Sequence, residues 1–372
     1  MNSGRKVLLI SNNGLGYFNF KKELVFELLK LGYEVHFAVP PYEKLKKLVY
    51  AGAVYHEIYV DRRGINPVKD LSLILQFMRL IKTLRPDIIV SHTIKPNIYA
   101  SIAAKRYKIP YINNITGLGS ALQHNNALAR ILRTLYRYAV TESSGIFFEN
   151  EGNREYFQRY GIGATKKYVL VPGAGVNIEE FLPQIEKHYA ENPTFLFVGR
   201  IMKEKGIEEF LSAAEQIKLR YPLTKFQVVG FYDEPKYSDI ISKLVDEEII
   251  EFLGGSNDTR IEMKNADCIV LPSYHEGMSN VLLEGAAMGL PLITTNIPGC
   301  KEAVEDGKSG FLCKEKNTES LVSVMERFIA LSPEERREMG LRGRVKMINE
   351  FDRRIVVEQY IKVINETLGE TS

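Results

Sequence analysis

The 372-residue sequence is short of the features that mark several broad protein classes. No apolar run reaches the ~18–20 residues that a membrane-spanning helix needs. The opening MNSGRK is polar and VLLIS follows at once, which does not read as a secretory signal. Cysteine is scarce: Cys268, Cys300 and Cys313 are an odd three, without metal-ligand spacing. They read as buried free thiols in a reducing cytoplasm. Low-complexity tracts and short-period repeats are absent, and no nucleic-acid recognition motif accompanies the basic residues.

What is present is a globular composition, 45% hydrophobic, on a chain long enough for two domains of ordinary size. The net charge of +3 conceals an asymmetry. Residues 1–178 carry 25 Lys plus Arg against 12 Asp plus Glu, a balance of +13. Residues 179–372 carry 24 against 34, a balance of −10. Opposite signs suggest domains with different partners, the basic one suited to phosphate, acidic lipid or nucleic acid.

Short β-branched or apolar runs alternate with helix-period stretches. The first half holds KVLLIS (6–11), YEVHFAV (33–39), VYHEIYV (54–60), DIIVSH (87–92), YINNI (111–115), GIFFEN (145–150) and YVLV (168–171). FKKELVFELLKLG (20–32) and VKDLSLILQFMRLIKTL (68–84) are helical in period. The pattern repeats with TFLFVG (194–199), KFQVVG (225–230), IIEFLG (249–254), CIVLP (268–272) and PLITT (291–295). Such alternation predicts crossover units and parallel sheets. Glycine and proline cluster in PGAGVNIEEFLPQ (172–184), which marks a boundary. The expectation is an α/β protein of two doubly wound, Rossmann-like domains, 1–178 and 179–350, facing across a cleft. Residues 351–372 are expected to form a C-terminal helix packing back towards the first domain. Ligands are expected at the carboxyl ends of the strands in that cleft.

Five strand-end loops hold the candidate site. In LPSYHEGMSNVLLEGAAMGLPLITT (271–295) an apolar run gives way to a small polar loop, then to a helix starting near Ser279. The N–H groups of Met278, Ser279 and Asn280 would then lack helical partners and form an anion site with the helix dipole. Gly277 permits close approach, Glu276 can reach sugar hydroxyls, and Glu284 can accept from a ribose diol. In VGRIMKEKGIEEF (198–210), Gly199 ends the strand, Arg200 offers a planar fork and Lys205 a point charge for a diphosphate. SNNGLGYFNF (11–20) carries Gly14, Leu15 and Gly16 but not the final glycine of a dinucleotide fingerprint. His92, in DIIVSHTIKPNIYASIAAK (87–105), can hydrogen-bond a substrate hydroxyl or steady a leaving phosphate. NNITGLGSAL (113–122) brings Thr116 and Gly117 to the same rim. Taken singly, each feature also reads as a surface acid, a solvated cation, a turn glycine or a structural histidine.

Together they are familiar. Glu276 and Glu284 form an E-x7-E pair in the wording EG…NVLLE, and Gly199-Arg200 with Lys205-Gly206 forms G-R…K-G. With His92 after the fourth strand, the set resembles the retaining GT-B glycosyltransferases of family four, over nearly the whole chain. SHTIKPNIYASIAAK and INNITGLGS look like a bacterial branch that adds a hexose or N-acetylhexosamine to an undecaprenyl-diphosphate-linked sugar in surface polysaccharide or glycan synthesis. The resemblance implies that Glu284 binds the ribose and that Arg200 and Lys205 neutralise the diphosphate. It implies that Glu276, with the backbone of Gly277, Met278, Ser279 and Asn280, holds the donor sugar. Gly14, Leu15 and Gly16 would approach the diphosphate, and Phe252 and Leu253 would lie near the base. Glu276, His92, Arg200 and Lys205 are the implied catalytic set. A UDP-sugar donor, no cofactor and no obligatory metal are expected; the sequence has no Asp-x-Asp clamp. Phe20-Lys21 stands where many relatives have Phe-Arg. Asn12, Met278 and Ser279 are the expected specificity contacts.

On the acceptor side, the basic domain suits a polyprenyl-diphosphate in an acidic membrane. In NNALARILRTLYRYAV (125–140), Arg130, Arg133 and Arg137 recur on one helical face, which suggests that this helix rests on the cytoplasmic leaflet. Lys95, Thr116 and Gly117 are placed on the same acceptor side. The expected partners are a UDP-sugar, a lipid-linked sugar and the anionic inner-membrane surface, for a cytoplasmic, peripheral protein that binds no nucleic acid. Two other readings stay open: a UDP-sugar epimerase on the same fold, and a binding protein that senses nucleotide sugars without turnover.

Overall fold

A computed structural model describes residues 4–61, 64, 66–119, 122, 126–184 and 189–370. Part of the MNSGRK leader, Ser120 and Ala121 of the 113–122 loop, and Asn125 of the 125–140 stretch lie outside the described residues. The chain divides into two units, Met1–Ala174 with Arg353–Ser372, and Gly175–Asp352. The divisions fall a few residues from the 178/179 and 350/351 boundaries read from the sequence.

In the first unit, seven parallel strands form one sheet. They are β1 (Lys6–Ile10), β2 (Glu34–Val39), β3 (Val54–Glu57), β4 (Ile88–His92), β5 (Tyr111–Ile115), β6 (Gly145–Phe148) and β7 (Tyr168–Leu170), in the order β3-β2-β1-β4-β5-β6-β7. Helices cover both faces, so central strands are buried on each side. Val7, Leu8, Leu9 and Ile10 of β1 are fully enclosed, which is why the sequence shows unbroken apolar runs in place of alternation.

The second unit repeats the plan with β8 (Thr194–Val198), β9 (Lys225–Val229), β10 (Glu251–Phe252), β11 (Cys268–Leu271), β12 (Leu292–Thr295) and β13 (Gly310–Cys313), in the order β10-β9-β8-β11-β12-β13. Its pairs are parallel too. The sequence reading did not include β13, whose four residues open on glycine and form no conspicuous run. In each sheet the strand order reverses once, at β1/β4 and at β8/β11. Crevices at strand carboxyl ends open where the order reverses, and four of the five loops singled out above follow these strands, the fifth following the neighbouring β5.

Two helices depart from or add to expectation. The helix expected over 20–32 begins earlier and spans Gly14–Lys30, so Gly14 and Gly16 occupy its first turn and not a loop. Gly14 answers a packing demand, because a Cβ there would lie 2.3 Å from the Pro40 carbonyl oxygen. The helix Arg353–Leu368 belongs to the first unit, where Val356, Val357, Tyr360, Val363 and Ile364 share a core with Val7, Leu9 and Val35. Tyr360 stacks on Phe147 with centroids 4.3 Å apart, and Arg353 Nη1 donates to Glu23 Oε1 at 3.0 Å and to the Asn19 carbonyl at 2.8 Å. Tyr360→Ala is expected to destabilise this unit by about 3–5 kcal/mol, since a buried aromatic leaves a large cavity. Urea unfolding followed by circular dichroism measures it, and an unshifted midpoint would show the helix to be peripheral to folding.

Candidate active site

In the second unit the site is built by two loops. After β8, Gly199 donates to the Val229 carbonyl at 3.0 Å, and a tight turn over Lys203–Lys205 leads through Gly206 into the helix Ile207–Arg220. After β11, the chain runs through Ser273, Tyr274 and Glu276 to the helix Asn280–Ala287. The loops are stitched together: the Tyr274 N–H donates to the Glu204 carbonyl at 2.9 Å. Gly206, at φ +72°, closes the seam, because a Cβ there would sit 2.0 Å from the Pro272 carbonyl oxygen. The stitching brings Lys205 Nζ onto Glu276 Oε1. The Ser273 hydroxyl lies 3.0 Å from that same carboxylate oxygen. Both members of the ion pair are largely enclosed, so salt screens them little.

Arg200 is exposed, and its Nη1 donates to Asp233 Oδ2 at 3.2 Å. Glu284 is half-buried on the helix Asn280–Ala287, and its charge acts on Arg260. That guanidinium donates two hydrogen bonds of 2.6 Å to the Asp258 carboxylate, and these, with Glu284 contributing least, raise its pKa. Ser279 caps the helix, and its N–H donates to the Gly299 carbonyl at 2.9 Å. The anion site read at Met278, Ser279 and Asn280 therefore lacks its middle donor. Phe252 tilts against Tyr232 with centroids 5.3 Å apart, and the Leu253 N–H is held by the Val228 carbonyl at 2.9 Å.

In the first unit, His92 is the last residue of β4 and is buried. Its Nδ1 lies 3.2 Å from Asn114 Nδ2. Burial, then the nearby Lys21 charge, hold its pKa well below the usual 6.5, so the imidazole is neutral. Thr93 follows at φ +75° and ψ 164°, a strained backbone for a β-branched residue. Lys21 is buried 3.8 Å from Glu149; burial lowers its pKa and Glu149 opposes the shift.

Comparison with known proteins decides the family. Residues 6–150 match the family Glycosyl transferase 4-like, and residues 178–346 match Glycosyl transferases group 1. The chain belongs to the GT-B glycosyltransferases. It is 26% identical to the N,N'-diacetylbacillosaminyl-diphospho-undecaprenol alpha-1,3-N-acetylgalactosaminyltransferase of Campylobacter jejuni, over 98% of this chain and 99% of that one. It is 25% identical to the UDP-Gal:alpha-D-GlcNAc-diphosphoundecaprenol alpha-1,3-galactosyltransferase of Escherichia coli, over 71% of this chain and 72% of that one. A glycosyltransferase from Rickettsia africae shares the fold, with TM-score 0.83, 19% identity and full coverage of both chains.

In this glycosyltransferase, several residues are held differently from what the sequence implied. Arg133 is buried: its Nε donates to the Ala129 carbonyl at 3.2 Å, and its guanidinium lies 4.2 Å from the Tyr160 ring centroid. Arg137 Nη2 donates to the Tyr160 carbonyl at 2.9 Å. Arg130 and Arg137 stand exposed and Arg133 does not, so two of the three arginines, not all three, share a solvent-facing side of this helix. Lys95 Nζ is taken up by Asp70 Oδ1 at 2.7 Å and the Gly64 carbonyl at 2.9 Å. Leu15 is exposed, and Thr116 and Gly117 are half-buried. Sequence reasoning missed Ser273, Asp233, Arg260, Asn114 and Glu149. For Asn114 a signal existed: YINNI sets two amides in a wholly buried strand.

The neutral His92 carries a pH dependence. The unfolded chain takes up a proton near 6.5 and the folded chain only well below it, so the unfolded state binds more protons as the pH falls. Stability should therefore drop below pH 6.5 by up to about 1.4 kcal/mol per pH unit from this residue, and His92→Gln should lack that share. Urea midpoints of both proteins at about pH 7 and about pH 5.5 test the sign. Parallel pH responses would mean that the ring is hydrated.

Proposed function

We propose that the protein moves a hexose or N-acetylhexosamine from a UDP-sugar to a sugar carried on undecaprenyl diphosphate, with retention of configuration. The observation that carries this reading is the meeting of Lys205 and Glu276 on stitched loops beside the helix Asn280–Ala287. Cleaving the bond from sugar to phosphate leaves negative charge on the departing UDP. Lys205 and Arg200 take up that charge, each exchanging its carboxylate partner, Glu276 or Asp233, for phosphate oxygen. Glu276, released from Lys205, accepts from the donor sugar, and Glu284 accepts from the ribose diol. Positive charge comes from side chains, so transfer needs no metal. The Campylobacter and Escherichia relatives, named for diphospho-undecaprenol acceptors and, in the second, UDP-Gal, support the substrate class.

The test is UDP release by the purified protein from a panel of UDP-sugars. Release only when a lipid-linked sugar is added supports the proposal; sugar interconversion or binding without product overturns it. Lys205→Ala should lower kcat by about 10²–10³-fold, the scale for losing one preorganised charge stabiliser. Glu276→Gln should bind UDP severalfold tighter, because a competing ion pair worth roughly 1 kcal/mol is gone, while turning over more slowly. Unchanged affinity, measured by calorimetry, would place Lys205 away from the phosphates.

We propose further that the protein sits on the cytoplasmic membrane surface. No described helix is long and apolar enough to cross a membrane. The helix Pro67–Leu84 exposes Val68, Leu71 and Leu75 along one face, which Arg79 and Lys82 continue. An exposed apolar row running into cations suits an anionic bilayer interface. Leu71→Glu with Leu75→Glu should cut co-sedimentation with anionic vesicles by about tenfold or more; undiminished binding would sink this face.

A further inference from the structure

A buried polar set lies at the carboxyl ends of β4, β5 and β6, and the transfer chemistry above uses none of it. Its members are His92, Asn114, Glu149, Lys21 and Tyr360, every one buried. His92 and Asn114 face each other in register across β4 and β5. Glu149 follows β6 directly, and its N–H reaches the Ile115 carbonyl at 3.4 Å.

The Asn114 amide decides how this set is wired. Its nitrogen lies 3.2 Å from His92 Nδ1 and 3.0 Å from Glu149 Oε1, while its oxygen is buried without a hydrogen-bond partner. A carboxylate accepts and does not donate, so Glu149 demands the nitrogen on its side. Turning the amide over would set oxygen against carboxylate and bury both N–H groups unpaired, the costlier error. Lys21, 3.8 Å from Glu149, holds a cation against that carboxylate, and Asn97 Nδ2 donates to the Asn114 backbone carbonyl at 2.7 Å, which fixes the strand beneath the amide. Two amide hydrogens therefore meet two acceptors, and His92 Nδ1 is one of them. A neutral imidazole that accepts at Nδ1 carries its proton on Nε2.

Nε2 is the ring nitrogen that the protein leaves unused: it is buried and has no hydrogen-bond partner. No neighbouring group bonds it. Tyr360 meets the ring edge-on at 5.9 Å between centroids, and Lys21 has only donors. Thr93 Oγ1, next along the chain, is likewise buried without a partner. Buried polar groups without partners are rare in native proteins and mark places where a ligand or water completes the bonding.

We propose that Glu149 and Asn114 are positioning residues that hold His92 as its Nε2–H tautomer, a neutral donor for an oxygen of the substrate. The chain of command runs from carboxylate to amide to imidazole, and none of the three needs to change its charge. Use of the donor on a sugar hydroxyl or phosphate oxygen rests on the transferase reading; the tautomer itself does not.

The experiment is long-range 1H–15N correlation on the full chain with 15N-labelled histidine, the His92 signals being those lost in His92→Gln. The expected result is an acceptor-type Nδ1 and a protonated Nε2 in the wild-type protein near neutral pH. Glu149→Gln, shown by circular dichroism to be folded, should shift the Nδ1 resonance towards the protonated range, because a glutamine side chain no longer dictates the amide orientation. Asn114→Asp, a second variant, should move the proton outright to Nδ1. A wild-type Nδ1–H ring, or a tautomer indifferent to both variants, overturns the proposal. The spectra need no donor or acceptor, so they succeed or fail independently of any transferase assay.

Discussion

Between Gly206 and the carbonyl of Pro272 there is no room for one more carbon atom, and the candidate active site of the second unit depends on that fact. The close approach lets the Tyr274 N–H reach the Glu204 carbonyl, so two loops from neighbouring strands behave as one surface. Lys205 and Glu276 are seventy-odd residues apart in sequence and meet only because the backbone does. A flexible lysine on a free loop would sample many positions and lose roughly 1.5–2 kcal/mol of rotamer freedom on fixing one. Here the partner carboxylate and the enclosed seam have already fixed it.

The fold was largely legible in the chain because parallel sheets buried on both faces write themselves as apolar runs. β1, β4, β8 and β11 each appear that way, and the loops after β8 and β11 lie where the sequence places them. The last strand is not legible: β13 has four residues and opens on glycine, too little for periodicity to register, whereas the two-residue β10 lies within the apolar run IIEFLG. The helix Gly14–Lys30 was entered late because glycine was taken for loop, whereas Gly14 serves a close contact with Pro40 inside the first turn. Local pattern reports propensity, and tertiary contact overrides it.

Side-chain placement was less legible, and the arginines of the helix Ala127–Val140 show why. Spacing put Arg130, Arg133 and Arg137 on one face, which is true of the backbone. Whether each meets solvent depends on Tyr160, more than twenty residues away: its ring lies over the buried Arg133, while Arg137 bonds its carbonyl and stays exposed. The same limit hid the Asn114–Glu149 contact, which joins a residue of β5 to the residue just after β6. Apolar periodicity cannot announce such pairs. Only the oddity of amides within a buried strand pointed towards them.

The two cations assigned to the diphosphate are not bare in this structure, and the reason is physical. A lysine as enclosed as Lys205 would lose several kcal/mol of hydration if left alone, so the fold supplies Glu276. Arg200, more open to water, gains little from Asp233, on the order of 0–1 kcal/mol. An arriving diphosphate carries more charge than either carboxylate and offers more oxygens, so on the proposed reading it displaces both. The exchange then has a second consequence: the carboxylate freed from Lys205 is the one set beside the helix Asn280–Ala287, where the donor sugar is placed. One displacement would thereby create the anion site and the sugar-binding acid together, and a nucleotide without its sugar would leave Glu276 uncompensated. On that reading the site would favour the intact donor over spent nucleotide, as a transferase that sheds its nucleotide after each transfer requires.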